Sequence, residues 1–310
     1  MEPFQSGRCG RFAGGVLGKE LVGVLDNIAT GTVKRPRRKT TLIHSLLIAT
    51  ALALTACSSN DEDDLALDDT PAEVLFNEGL ALRNAGRLSD AGKKFTELDK
   101  LYPYSEYAKK SLINLAFINF SLGRYPETVT AAERFTTLYP GSEDMPYALY
   151  LIGQAYFRQI PDITRDQKIT EQAAAALNDL VTRYPDSEYT ADAKSKLLVA
   201  YDQLAGKEMM VGRYYLERRN YIAAINRFKT VVINYQTTRH VEEALARLTE
   251  SYYALGVVNE AQTAAAILGH NYPDSQWYKD SFSLLQKGGY EPSEDRGSWI
   301  SKAFQNVRLF

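Results

Sequence analysis

Between Gly212 and Tyr235 the chain reads GRYYLERRNYIAAINRFKTVVINY, and its apolar positions follow a helical period. Tyr215 lies three residues after Gly212, one turn along the same face. After the polar pair Arg219–Asn220, Tyr221, Ala224, Ile225, Phe228, Val232 and Tyr235 recur at spacings of three and four. That is the stripe of a helix face, not the alternation of a strand. The stretch therefore predicts a helix, a tight turn and a second helix. Ala224 is small where the two helices must approach, and Phe228 is large where a neighbour leaves a gap. One such hairpin cannot cover its own apolar face, so it predicts further copies stacked beside it.

The copies are present. Gly79, Leu82, Ala91 and Phe95 repeat the spacing of Gly212, Tyr215, Ala224 and Phe228. Ala116, Asn119, Thr128 and Ala132 hold these places in a weaker second copy, and Thr249, Tyr252, Ala261 and Ala265 in a fifth. In the third, Gly153, Tyr156, Ala173 and Leu177 do so, but Gly and Ala are 20 residues apart rather than 12. The eight extra residues fall around Ile160–Lys168 and predict a projecting loop between its helices. Copies end alike at Tyr102-Pro103-Tyr104-Ser105, Tyr139-Pro140-Gly141-Ser142, Tyr184-Pro185-Asp186-Ser187 and Tyr272-Pro273-Asp274-Ser275, with Tyr235-Gln236-Thr237-Thr238 as a degenerate version. Proline stops a helix and serine caps the next. These positions match the tetratricopeptide pattern. The expected fold is all-α, an α-solenoid of about five tetratricopeptide-like hairpins at 71–105, 106–142, 145–187, 205–238 and 240–275.

Residues 189–204 carry a further stripe, Ala193, Leu197, Tyr201 and Leu204, that runs into 205–218. One long helix is expected there, dividing repeats 1–3 (71–187) from a second part (188–288) holding repeats 4 and 5 and a capping helix at 276–285. Residues 289–310, with Pro292 and Gly297, read as a flexible tail, although Trp299, Phe304 and Phe310 would also suit a docking segment.

The N-terminus has a different grammar. Lys34-Arg35-Pro36-Arg37-Arg38-Lys39 is followed by the apolar run 42–54, LIHSLLIATALAL, and then by Thr55-Ala56-Cys57. A basic region, a short apolar region and a small-residue cleavage site make a secretory signal peptide over 34–56. Leu54-Thr55-Ala56-Cys57 resembles the bacterial lipobox, which implies cleavage between Ala56 and Cys57 and acylation of Cys57. More than one chain holds a protein on a membrane stably. Ser58, where an Asp would retain an enteric lipoprotein at the inner membrane, points to the outer membrane. Residues 57–70, with six acids after the cysteine, read as a solvated tether.

Of 36 Lys/Arg and 38 Asp/Glu, eight and three lie in residues 1–56, which leaves the remainder at −7. No nucleic-acid partner is expected of so acidic a body. The two cysteines, Cys9 and Cys57, both precede the repeats, so the repeats hold no disulfide. His44, His240 and His270 form no metal motif, no phosphate-binding or dinucleotide glycine loop is present, and no cofactor is expected. A nucleophile would have to combine Ser251 with His240 or His270, a weak coincidence. Asp61–Asp64 reads as part of the tether rather than a cation site. The chain is thus read as a non-enzyme whose working part is a surface. First helices of such repeats line a groove that can hold an extended peptide or a partner helix. The candidate groove residues are Phe76, Asn77, Leu80, Arg83 and Asn84, then Asn114, Phe117, Asn119 and Phe120, then Tyr147, Tyr150, Gln154 and Arg158.

Lipobox, acidic tether and five repeats together resemble the BamD family, lipoproteins of the bacterial β-barrel assembly machinery. Tyr214-Tyr215, Arg218-Arg219, Tyr221 and Ala223-Ala224-Ile225-Asn226-Arg227-Phe228 are similar to that family's fourth repeat. The resemblance implies a body lipid-anchored by Cys57 at the periplasmic face of the outer membrane. It implies that the C-terminal repeats bind the barrel-forming BamA-type subunit, beside other assembly lipoproteins. It also implies that the N-terminal groove receives the C-terminal signals of unfolded outer-membrane barrel proteins. Arg218, Arg219 and Arg227 are the expected docking residues for the assembly partner. The chain departs from the family at residues 1–33, at Gln236 and after Gly288. The alternative is a periplasmic adaptor lipoprotein for cell-wall synthesis or envelope division, which would show a cell-wall partner.

A signal peptide should begin just before its basic run, so residues 1–33 are expected to precede the true start. Mass spectrometry of the unlipidated Cys57→Ser precursor should find a first peptide near Val33; peptides from residues 1–32 would overturn this.

Overall fold

The computed structural model of the chain describes residues 70–305. Cys57, the cleavage site at Ala56 and Phe310 lie outside the described residues. The described residues form one compact unit. Its described residues are helical, with no strand among them, and the all-α repeat fold holds. The first repeat pairs α1 (Ala72–Asn84) with α2 (Leu88–Leu101), the second α3 (Glu106–Ser121) with α4 (Tyr125–Leu138), and the third α5 (Met145–Phe157) with α6 (Lys168–Arg183). The single long helix α7 (Thr190–Glu217) follows and pairs through its second half with α8 (Tyr221–Asn234). The fifth repeat is α9 (Val241–Ala254) and α10 (Val258–Asn271), after which come α11 (Gln276–Lys287) and the short α12 (Trp299–Gln305).

In repeats 1, 3 and 4 a glycine on the first helix lies under a large residue on the second. A Cβ placed on Gly79 would meet the Phe95 ring at 2.7 Å, and one on Gly153 would meet Leu177 Cδ2 at 2.6 Å. At Gly212 the Phe228 ring stands closer still, and Phe95, Leu177 and Phe228 are fully buried. Repeats 2 and 5 lack the glycine, and there the second-helix partner is reduced to Ala132 or Ala265 against Ala116 or Thr249, all fully buried. The space between the helices is filled either way, as close packing requires.

The second helices end at a tyrosine, Tyr102, Tyr139, Tyr184, Tyr235 and Tyr272, whose N–H still donates four residues back while its φ has left the helix. The next residue is proline in all but the fourth repeat, and proline has no N–H to continue the ladder. Ser105 caps as expected, its Oγ accepting from Ala108 N at 3.1 Å. Ser142 and Ser187 instead accept from the N–H two residues on, at 3.2 and 3.3 Å, and Ser275 makes no side-chain cap. The turn inside repeats 1, 2 and 5 places Gly86, Gly123 and Gly256 at φ 72–76°. Repeat 4 places Arg219 there at φ 57°. A side chain in that conformation costs about 1–2 kcal/mol.

Two expectations are corrected. The loop between α5 and α6 does not project. Gln203 donates to Pro161 O at 2.9 Å, Lys207 to Thr164 O at 3.1 Å, and Ile163 rests against the bare backbone of Gly206 on α7. Gln167 is buried at its base, donating to Asp162 O and accepting from Thr170. Residues 289–305 are not a loose tail either. They fold back over α8 and α10, and α12 buries Ile300 completely. The apolar residues that would have been left in water by a free tail supply the reason.

The buried core divides inside α7. One cluster runs from Leu112 to Leu204, and a second begins at Ala205 and runs to Ile300. The long helix therefore belongs to both halves.

Gly212→Ala is expected to lower stability by about 1–3 kcal/mol through overpacking against Phe228. Phe228→Ala should cost about 3–5 kcal/mol by leaving a cavity. The double variant, which copies the Ala116/Ala132 pair of repeat 2, should cost less than the sum of the two. Urea unfolding of the four proteins measures this, and strict additivity would refute the proposed contact.

Candidate functional site

The first helices α1, α3 and α5 and the start of α7 bring several predicted groove residues together. A cleft of about 590 Å³ is lined by Arg83, Ile113, Asn114, Phe117, Asp144 and Tyr147, with Leu88 at its edge. The Arg83 guanidinium donates to the Asn114 side-chain oxygen, and the Asn114 amide donates to Lys110 O at 2.7 Å. One cation, one carboxylate, one amide and two aromatic rings thus converge on an open space.

Tyr147 continues the cleft into an aromatic group. Its ring lies 5.2 Å from Tyr189, which stacks on Tyr150 at 5.0 Å. The Tyr150 hydroxyl donates to Asp192 at 2.7 Å, and Gln154 donates to the same oxygen at 3.0 Å. Lys196 pairs with that carboxylate from the next turn of α7. Burial, then Asp192, pushes the Tyr150 hydroxyl up to about 12, so it remains a donor. Lys196, then the Tyr150 hydroxyl, holds the Asp192 carboxyl below its usual range.

Other expected groove residues lie elsewhere. Phe76 is buried between Phe95 and Tyr107, with ring centroids 5.8 and 5.5 Å away, and belongs to the core. Leu80 packs at the edge of that core, and Asn77 is exposed on α1. Phe120 pairs with Tyr125 at 5.8 Å by the α3–α4 turn and does not line the cleft. Asp144, Tyr189, Asp192 and Lys196 were missed. The stripe in residues 189–204 marks only the apolar face of that helix. Asp192 and Lys196, four apart, share the polar side of that helix.

The inner helices of the second half are chemically different. Arg213 reaches Glu243 at 2.8 Å, Glu243 lies 3.5 Å from Arg247, and Arg247 reaches Glu250 at 2.9 Å. Arg247 also lies over the Trp277 ring at 5.1 Å. These charges are matched within the chain.

The three candidate docking arginines do not form one cluster. Arg218 lies over the Tyr214 ring at 3.6 Å, Arg219 is exposed at the strained turn, and Arg227 further along α8 pairs with Glu208 at 3.2 Å. The Ser251–histidine pairing is not formed. Ser251 is buried with no hydrogen-bond partner, and His240 faces Asp202 at 3.7 Å. Burial lowers the His240 pKa, with Asp202 opposing. No group of His, Cys, Asp and Glu among the described residues is arranged to hold a metal ion. No described helix is long and apolar enough to cross a membrane.

Stacked helical hairpins with an open polar-aromatic cleft on their inner helices define a tetratricopeptide-type binding scaffold. Residues 68–268 match the family model described as an outer membrane lipoprotein, YfiO. The chain is 40% identical over 256 residues to the outer membrane protein assembly factor BamD of Caulobacter vibrioides, covering 83% of this chain and 84% of that one. It is 37% identical over 249 residues to the factor of the same name in Rickettsia prowazekii, covering 80% and 98%. Among solved structures, the MamA protein covers 70% of this chain and 93% of its own at 17% identity, with a TM-score of 0.34. The chain belongs to the BamD family of outer membrane lipoproteins.

The Asp192 cluster carries a pH signature. Its folded pKa lies below the ordinary value of 3.8, so its stabilisation is present above about pH 4 and is lost as pH falls through the folded pKa. Asp192→Asn should therefore melt below wild type at neutral pH, and the gap should shrink at about pH 2–3. Thermal melts at both pH values test this; a gap that persists in acid would show that the charge is not the cause.

Proposed function

We propose that this protein is a non-catalytic scaffold in outer-membrane protein assembly. On this reading it is anchored through lipid on Cys57 at the periplasmic face of the outer membrane. It binds a barrel-forming subunit of the BamA type, with other assembly lipoproteins, through its second half. It receives the C-terminal signals of unfolded outer-membrane barrel proteins in its first half. Family membership supports the assembly role, and the lipobox supports the anchor.

The observation that carries the substrate assignment is the convergence of Arg83, Asn114, Phe117 and Tyr147 on one open cleft. A guanidinium beside an amide donor suits a carboxylate, and the two rings suit the aromatic side chain next to it. The inner face of the second half already has its charges matched by the Arg213–Glu243–Arg247–Glu250 ladder. That contrast favours the first half as the place where a flexible ligand is read. The exposed arginines around the α7–α8 turn suit a folded, charged partner. Arg219 keeps a strained conformation that glycine would relieve, which fits selection for its side chain.

A peptide ending in phenylalanine with a free carboxylate should bind the mature protein, and its C-terminal amide should bind about tenfold or more weakly. Arg83→Ala should remove that difference. Arg227→Glu should leave peptide binding intact while reducing co-purification of the barrel-forming subunit. Equal binding of acid and amide would refute the cleft assignment, and unchanged co-purification would refute the docking assignment.

A further inference from the structure

The folded-back C-terminal segment shows what a second, open cleft is built to hold. Repeats 1 and 2 are related to repeats 4 and 5 by a constant offset of 133 residues: Gly79 to Gly212, Ala91 to Ala224, Ala116 to Thr249, Thr128 to Ala261. In repeats 4 and 5 the segment 289–305 lies across α8 and α10, with Tyr252 of α9 beneath it. Lys229 covers the Trp299 ring at 4.8 Å, and Tyr252 Oη accepts from Trp299 Nε1 at 3.1 Å. Glu260 accepts from Ser298 Oγ at 2.6 Å, and Thr263 Oγ1 accepts from Asp295 N at 3.1 Å. By the same offset these four residues correspond to Thr96, Asn119, Glu127 and Thr130. All four line one cleft of about 910 Å³ between α2 and α4, floored by α3. That cleft is therefore the first-half equivalent of the groove the C-terminal segment fills.

The two grooves differ in ways that define the ligand. Gly92 stands where Ile225 stands in the occupied groove, and Ile118 stands where Ser251 stands, so the apolar bulk moves from the α2 wall to the α3 floor. Its apolar floor includes Leu112, Leu115 and Ile118, with Leu101 and Leu122 both more than a third exposed. Its rim carries four cations at positions where the other is apolar or neutral, although Thr96 stands where the other has Lys229. Lys93, Lys100, Arg124 and Arg134 replace Asn226, Ile233, Val257 and Ile267. Lys93 is paired with Asp90 and Arg134 with Asp99, while Lys100 and Arg124 make no salt bridge among the described residues. Glu97, the one added acid, lies 3.3 Å from Lys94.

We infer that the α2–α4 cleft docks a short amphipathic helix of a partner protein, with aromatic or aliphatic anchors spaced like Trp299, Ile300 and Phe304 and with acidic flanks. The partner helix would lie as α12 lies on α8 and α10, its anchors on the Leu112–Leu115–Ile118 floor and its acids toward Lys100 and Arg124. This site shares only Leu88 with the Arg83–Asn114 cleft and is inferred independently of what occupies that cleft.

The probe is a fluorescent peptide of residues 293–305 carrying Arg296→Glu and Lys302→Glu, titrated by anisotropy against the full mature protein. It should bind roughly tenfold or more tightly than the unsubstituted peptide, and more weakly as salt rises. Gly92→Ile should fill the cleft. A Cβ there meets Ile118 and Leu115 at 3.5 and 3.8 Å, ordinary contacts, so the fold should be kept and the melting temperature not lowered. Binding should weaken about tenfold or more in that variant and in Lys100→Glu/Arg124→Glu, and should be unchanged in Trp299→Ala. Four results would each overturn the assignment. They are absence of saturable binding, binding insensitive to Gly92→Ile, binding that appears only when Trp299→Ala has vacated the C-terminal groove, and self-association through the C-terminal segment in sedimentation velocity.

Discussion

The closeness of the two helices in each hairpin governs the rest of the structure. Phe228 can lie flat over the first helix only because Gly212 has no Cβ, and Phe95 does the same over Gly79. The fully buried ring then fixes the spacing of the pair, and the spacing fixes which residues are left for the next hairpin. Where the first helix carries Ala116 or Thr249, the second yields with Ala132 or Ala265. The repeat thus keeps the facing pair fully enclosed whatever its side-chain volume. This is why repeat 2 looks weak as sequence while Ala116 and Ala132 are still completely buried.

That packing rule is local, and local rules were legible. A stripe at spacings of three and four, a small-and-large pair and a Tyr-Pro ending lie within one hairpin, and the hairpins, the long α7 and the order of repeats follow from them. Contacts between distant parts were not legible. The eight-residue insertion looked like a projection because nothing within it shows that Gly206, about forty residues later, leaves a berth for Ile163. Residues 289–305 looked loose because Pro292 and Gly297 break helical periodicity, while Thr263, Glu260 and Tyr252 that hold the segment belong to another repeat. In the groove, Arg83, Asn114 and Phe117 were found by helix position, but Phe76 went to the core because Phe95 and Tyr107 reach it from both sides.

The division of the core inside α7 gives the two halves separate surfaces on one rigid connector. Before Leu204, the inner helices leave Arg83, Asn114, Phe117 and Tyr147 around open space. After Ala205, inner-face cations and carboxylates are paired with each other, and Arg219 stands exposed at the α7–α8 turn. A matched ladder offers an incoming peptide little, since each new ion pair must replace an existing one. A cleft with an amide, a guanidinium and two rings offers directional donors and apolar area together. The open polar-aromatic cleft and the matched charge ladder are thereby separated along the chain while sharing a continuous helix.

The C-terminal segment extends the same logic to the second helices. Any two neighbouring repeats leave a shallow trough between their second helices, and the trough buries apolar surface only when something lies in it. In repeats 4 and 5 the chain supplies that element itself, and its anchors replace water over α8 and α10. In repeats 1 and 2 the trough has Gly92 on its wall and cations at its rim, beside exposed Leu101 and Leu122. The 133-residue offset makes the two troughs correspond, and their differences in shape and charge together fit one to the chain's own segment and the other to an acidic partner.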